Sequence, residues 1–272
     1  MKPINRILLT GAAGKFGRQL RPFLRGQCNV LRVSDLALPG EAAAQEEIVE
    51  ADLTDQDAVM TLTRDVDAVV YMAGKGFEGG FEEIFGGHVR GLYNTFEGMR
   101  RNGGRRVVWA SSIHAVGFYP FSQVIDAHVR PRPDTTYGVA KVCGEAIAQY
   151  YWDKFNIESV SMRIVSCEEQ PKTRRHLSSW LSYDDLRRLV GASLSATRPD
   201  HSVIYGVSDN DAAAVDNRWS AHLGYRPQDN AELHRDRIES ATKPELPGDP
   251  DIAAHGGAFS SMGFFADDPK DR

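Results

Sequence analysis

The sequence predicts a doubly wound parallel α/β sheet carrying a small C-terminal lobe. Three observations predict it: short β-branched apolar runs bounded by turn residues, helix-length stretches between them, and a glycine-rich turn joining the first run to the first helix.

In chain order, Ile7 to Leu9 is the first strand and Phe16 to Leu24 the first helix. Strands at Val30 to Val33 and Glu47 to Val49 follow, then a helix over Gln56 to Leu62 and a strand within Val66 to Met72. A long helix over Phe81 to Arg101 leads to a strand at Arg106 to Ala110, and a second, over Tyr137 to Phe155, leads to one at Ser159 to Ile164. Each helix has the length that a crossover between parallel strands requires. Glu168 to His176 is polar and basic, and Ser182-Tyr183-Asp184-Asp185 reads as a capping box for a helix over Leu186 to Ser195. A last strand, Val203 to Gly206, precedes a turn-rich stretch that includes Trp219 to Tyr225. Residues 1–240 form one domain in this reading, with a cofactor half over about 1–165 and substrate-side segments over 166–240. The Pro-, Gly- and Asp-rich tail, 241–272, lacks apolar periodicity and either wraps a neighbour or is loose.

Composition narrows the function classes. Of 272 residues, 42% are hydrophobic and 25% charged, which is ordinary globular content. No run reaches the ~18 apolar residues of a membrane span, and Met1 to Thr10 lacks a signal-peptide pattern, so a cytoplasmic protein is expected. Cys28, Cys143 and Cys167 have neither disulfide nor metal-ligand spacing and read as small fillers; no metal is expected. A net charge of −5 offers no attraction for nucleic acid or anionic lipid, so any anionic partner is a small molecule held locally. The two long helices are candidates to pair across a twofold axis in a homo-oligomer.

Gly11-Ala12-Ala13-Gly14-Lys15-Phe16-Gly17 follows the first strand and opens the first helix, and that context makes the turn a dinucleotide phosphate site of Rossmann type. Asp35 ends the second strand, where a carboxylate accepts hydrogen bonds from the adenosine ribose. A 2′-phosphate beside it would meet about 4 kcal/mol of repulsion per charge pair at ~4 Å, which favours NAD over NADP. Lys15 and Arg18 weaken that argument by standing nearby in sequence. Leu36, Asp52-Leu53 after the third strand, Met72-Ala73-Gly74 after the fourth, and Ile164 complete the expected cofactor contacts.

Ser112 is followed by Tyr137-Gly138-Val139-Ala140-Lys141. Tyr and Lys four apart share a helix face, so an ammonium can support a phenolate base and reach a bound ribose, with Ser112 orienting the reacting oxygen. A Tyr-x-x-x-Lys alone is common on solvated helices; the combination with the glycine turn and Asp35 gives it meaning.

These residues resemble the extended short-chain dehydrogenase/reductase superfamily, which contains the NAD-dependent epimerases and dehydratases. Further stretches narrow the likeness to bacterial uronate dehydrogenases: Ala110 to His114, Gly117 to Pro120, Arg163 to Cys167, His176 to Trp180 and Leu223 to Glu232. The resemblance implies NAD-dependent oxidation of C1 of a hexuronic acid to an aldarolactone. It implies Tyr137 as base, Ser112, Ile113 and His114 near the sugar, Gly76 and Ser166 on the substrate, and Arg175 as carboxylate clamp. A planar guanidinium suits that task, but Arg174, Arg175 and His176 are adjacent and spacing does not choose among them. The family pattern has Asn where this chain has Ile113, Ser where it has Gly76, and Asn where it has His88; Lys75 is a candidate replacement donor. An epimerase or dehydratase of another sugar, and a non-catalytic NAD(P) sensor, are the alternatives.

Overall fold

The structure is a computed structural model that describes residues 4–263 apart from 38–39 and 247. The apolar runs pair into one parallel sheet: β1 (Arg6–Thr10), β2 (Val30–Asp35), β3 (Glu46–Glu50), β4 (Ala68–Tyr71), β5 (Arg106–Ser112), β6 (Glu158–Ile164) and, after a short parallel pair of β7 (Ser166–Cys167) with β8 (Trp180–Leu181), β9 (His201–Gly206). The order across the sheet is β3-β2-β1-β4-β5-β6-β9. The chain reverses direction between β1 and β4, and the crevice beyond their C-terminal ends is where such sheets bind ligands.

Alternation within the strands builds two cores. Ile7, Leu9, Leu31 and Val33 face one side, covered by Leu20 and Leu24 of α1 (Lys15–Leu24). Leu186, Leu189 and Val190, from the later helix over Tyr183–Ser195, cover the same side. Leu8, Val69, Tyr71 and Trp109 face the other, under α2 (Gln56–Leu62), α4 (Gly91–Asn102) and α5 (Thr136–Phe155). Buried strands with both faces covered read in sequence as continuous apolar runs, as the central strands do, whereas edge strand β3 (EEIVE) carries only two apolar residues and buries none fully.

The helix expected over Phe81 to Arg101 is divided. α3 (Phe81–Phe85) and α4 are joined by one π turn, Gly86–Arg90. Gly86 and Gly87 carry no side chains to enforce the α repeat there, and π turns concentrate at functional sites. Ser182 does cap α7 (Tyr183–Ser195), accepting from the Asp185 amide; α6 (His176–Ser179) precedes it.

The tail behaves as neither expected alternative, as far as it is described. After α8 (Arg235–Ala241), residues 249–261, including α9 (Pro250–Ala253), return to their own chain: Phe121 donates to the Ala253 carbonyl and the His255 amide to that of Tyr119. Backbone pairing and a few aromatic contacts hold it, and neither leaves a periodic apolar signal. Residues 264–272 lie outside the described part. Cys167 is buried, and Cys28 and Cys143 are partly so; all three are free thiols. No helix among the described residues is long and apolar enough to cross a membrane.

Candidate active site

Close backbone approach shapes the glycine turn. Gly11 has φ +68°, and a Cβ on it would stand 2.6 Å from the Ala73 nitrogen; a Cβ on Gly17 would stand 2.1 Å from the Gly11 carbonyl. Neither position tolerates a side chain without moving backbone. Gly14 caps α1 with no side-chain hydrogen bond, so the first amides of that helix remain free for an anion. Asp35 braces the turn: its carboxylate accepts from the Ala13 and Leu36 amides at 2.8 Å each.

A cavity of about 650 Å³ opens here, walled by Gly11, Gly14, Asp35 and Leu36 on one side. Asp52, Leu53 and Met72 to Gly74 form the other. A backbone cradle beside a carboxylate, in a cleft of this size, fits a dinucleotide. Gly86 and Gly87 also line it, which no pattern in the sequence announced.

Six residues expected at the cofactor are not among these walls, Tyr137 and Lys141 at the next strand end and four others. Lys15 donates to the Cys167 carbonyl at 2.6 Å and to Glu168 at 2.7 Å, so its charge ties the turn to the substrate lobe. Phe16 packs half-buried on the core, Ile164 is buried at the end of β6, and Gly17 serves the packing of α1 on β1.

At the next strand end, Ser112 closes β5 and accepts from the His114 amide at 3.2 Å. Tyr137 lies in the first turn of α5, where Thr135 caps the helix and Glu78 accepts from the Thr136 and Tyr137 amides at 3.1 and 2.9 Å. Glu78 is an unforeseen brace, a carboxylate on the positive end of a helix. Ser112 stands near enough to the Tyr137 phenol to lower its pKa, and Lys141, one turn on, donates to the Ala110 carbonyl at 2.5 Å with its ammonium 5.2 Å from the Tyr137 ring centre. Burial dominates both groups: it pushes the phenol up to about 12 and the ammonium down to about 7, against a smaller lowering of the phenol by Ser112 and a raising of the lysine by Glu145. The expected lowering of the phenol by Lys141 therefore does not offset burial in the protein alone.

His114 turns one ring nitrogen onto buried Asp134, 2.9 Å away, lies edge-on to Tyr137 at 5.7 Å, and stacks on Phe259 of the tail at 4.5 Å. Ser166 meets Ser179 at 3.0 Å. Among the adjacent cations, Arg174 pairs with Glu239 at 3.5 Å and His176 accepts from the Lys172 amide. Arg175 is different. Its guanidinium donates to the tail carbonyls of Asp251 (2.7 Å), Ala254 (3.3 Å) and His255, and it has no carboxylate partner among the described residues. Burial lowers its pKa, against a smaller raising by the Asp251, Glu245 and Asp134 carboxylates. Ile113 packs among Val116, Ile125 and Tyr205 and so offers no polar group to a ligand. Gly76 faces open space, and the Lys75 ammonium is held by Glu83 at 3.1 Å, both residues lining the cavity.

Residues 7–181 match the model of the NAD dependent epimerase/dehydratase family. The chain belongs to that family. Within it, the chain is similar to the uronate dehydrogenase of Pseudomonas putida, 44% identical over 97% of this chain and 98% of that protein. It is 40% identical to the uronate dehydrogenase of Agrobacterium fabrum over 96% of this chain and 99% of that one. Among solved structures of the epimerase/dehydratase type, a glucuronic acid dehydrogenase from Chromohalobacter salexigens superposes with a TM-score of 0.94 at 40% identity, covering 97% of this chain and 99% of that one. A mutant uronate dehydrogenase from Agrobacterium tumefaciens complexed with NAD gives 0.93 at 39% identity, covering 96% and 98%.

Proposed function

We propose that this chain oxidises C1 of a hexuronic acid, of the glucuronate or galacturonate type, to an aldarolactone with NAD. The observation that carries this reading is the Tyr137/Lys141/Ser112 group at the strand ends, with Arg175, part-buried and held by tail carbonyls and the Phe121 ring without a carboxylate in ion-pair contact among the described residues, as the candidate clamp. A charge left so needs an anion, and a sugar carboxylate is one that fits a planar guanidinium. Family membership and the likeness to uronate dehydrogenases support the same conclusion.

Bound NAD supplies the hydride acceptor and a positive charge beside the phenol. The chain does the rest. Tyr137 Oη takes the proton of the anomeric hydroxyl, Ser112 Oγ orients that hydroxyl, and the Lys141 ammonium stabilises the phenolate. Arg175 holds the distant carboxylate, whose charge is unchanged through the reaction, so it contributes binding and orientation rather than charge stabilisation. His114, fixed by Asp134, and Ser166 flank the sugar. Asp35 faces the adenosine ribose and selects against a 2′-phosphate; Lys15, occupied by Glu168, does not counter it. In this reading residues 1–165 are the cofactor half, 166–240 the substrate side, and the protein is cytoplasmic. It is a homo-oligomer through α4 and α5, where Tyr93 and Tyr150 are 44% and 47% exposed.

The test is NADH formation from glucuronate, galacturonate and glucose, with light scattering on the same sample. Turnover of uronates well above glucose is expected. Equal rates on glucose and glucuronate would remove the clamp; conversion of a nucleotide sugar without net NADH, or NAD binding without any turnover, would favour the epimerase or sensor reading. A monomer mass would remove the oligomer.

A further inference from the structure

Lys15, the first residue of α1, reaches across the molecule. Its Nζ donates to the Cys167 carbonyl at 2.6 Å and to Glu168 Oε1 at 2.7 Å, residues 152 and 153 positions away in the chain. Both ends of this bridge are anchored. Lys15 directly follows Gly14, whose turn lines the cavity. On the far side the Glu168 amide donates to the Leu181 carbonyl at 3.2 Å, and the Trp180 indole N–H donates to the Glu168 carbonyl at 2.9 Å, so β8 fixes the backbone that carries the carboxylate.

Topology says what the bridge spans. β4 and β5 lie between β1 and β6 in the sheet, so the strand ends that lead to Lys15 and to Cys167 are about 14 Å apart at ~4.8 Å per strand. In that gap stand the end of β4, followed by Met72 to Gly74 in the cavity wall, and the end of β5 with Ser112. A dinucleotide seated on the glycine turn and reaching toward Tyr137 crosses both. Cys167 packs with Ala12, Leu181 and Leu186 in the core under α1, which puts the bridge on that face of the crevice; Glu82, Glu83, Gly86 and Gly87 wall the other. We propose that Lys15 and Glu168 are positioning residues for the cofactor: their ion pair bars the crevice on its α1 side, keeps the dinucleotide seated through hydride transfer, and opens to let it leave. The inference rests on the placement of NAD in this crevice proposed above.

The pair is built to open as well as to close. The two side chains are 45% and 31% exposed, so water and salt reach them and weaken the attraction. Opening does not leave the carboxylate bare, because Lys172 approaches its other oxygen to 3.4 Å. The Lys15 ammonium has its own second resting place, 5.8 and 6.0 Å from the Phe16 and Tyr183 ring centres. Partial burial works against the Glu168 charge, but the Lys15 and Lys172 ammoniums hold its carboxyl below its ordinary value, so the pair is charged in any neutral buffer. A competing role for Lys15, as a direct ligand of the pyrophosphate, makes the opposite demand on Glu168: the carboxylate would then draw the cation away from the cofactor, and its removal would tighten binding.

The test is the rate at which NADH leaves the whole chain, read by stopped-flow displacement. Lys15→Met and Glu168→Gln should each speed release about fivefold and raise the KM for NAD, while the single-turnover rate of glucuronate oxidation changes about twofold at most. The double variant should release no faster than either single one, because both remove the same contact, and Lys15→Arg should restore slow release. Release at the parent rate in both single variants, additive effects in the double, or slower release in Glu168→Gln would overturn the proposal. A measurement on the unaltered protein guards against a variant that fails to fold: raising NaCl from about 20 to about 500 mM should speed NADH release several-fold, and a rate that ignores salt would equally overturn it. Asp35→Ala separates the two readings. If its NAD/NADP preference is that of the parent, the placement of the cofactor fails and the bar with it. If the preference shifts and release from the Lys15 and Glu168 variants does not, only the bar fails.

Discussion

The two halves of the cleft are built on different principles. On the cofactor side, contacts come from backbone: Gly11, Gly14 and the strand ends form the wall, and even the Asp35 carboxylate is braced by amides from within the turn it serves. On the substrate side, Arg175 and His114 depend on residues far away in the chain, the carbonyls of Asp251 to His255 and the Phe259 ring. The first half is specified by a short contiguous motif. The second is specified by tertiary packing, so it is free to change ligand without disturbing the sheet.

If that division is real, substitutions on the two sides must separate cofactor affinity from substrate turnover. The largest effect is expected at the junction: Tyr137→Phe should lower kcat about a thousandfold while NAD affinity, read by fluorescence titration, stays within a few-fold. Lys141→Met should also lose turnover yet gain stability. The lysine sits at about 7 in the fold against 10.5 when free, so the unfolded chain binds more protons between those values. The penalty on the folded state is complete below pH 7 and fades as pH rises toward 10.5, so calorimetry should find the variant more stable, by a few kcal/mol near pH 6 and by almost nothing at pH 10. A gain that grew with pH would contradict the burial argument. Arg175→Ala should reduce kcat/KM on uronates about 30- to 100-fold, leaving glucose and NAD untouched, since the lost hydrogen bonds to a charged group are worth roughly 2–3 kcal/mol. An NAD defect of similar size would show that the halves are not separable. Asp35→Ala is the smallest change, narrowing the preference for NAD over NADP about tenfold.

What the sequence disclosed follows the same line. Every strand of the main sheet and the helices that cover it were readable, because the central strands, buried on both faces, leave apolar runs and the glycine turn leaves a fixed spacing; edge strand β3 left only Ile48-Val49 between glutamates. The side chains of Lys15, Phe16 and Ile164 stand outside the cavity wall, since adjacency to a motif does not say which way a side chain points. Ile113, expected near the sugar by position, packs its side chain among Val116, Ile125 and Tyr205, a direction that position alone does not give. The choice among Arg174, Arg175 and His176 needed tertiary partners to decide. The π turn at Gly86–Arg90 left no signal apart from two glycines, because one extra residue per turn does not change the helical pattern enough to be read. Nothing in the tail announced that its backbone carbonyls would hold a buried guanidinium.

That tail also sets an order of assembly. Synthesis runs from the N-terminus, and the glycine turn, Asp35 and the strand ends beside them are complete when little more than the first half of the chain has emerged. Asp251, His255 and Phe259, which seat Arg175 and cover His114, come out last. A nascent chain, or one trimmed before residue 249, would therefore grip its dinucleotide before it could grip its sugar, and enzyme competence would be acquired in a later step as residues 249–261 fold back.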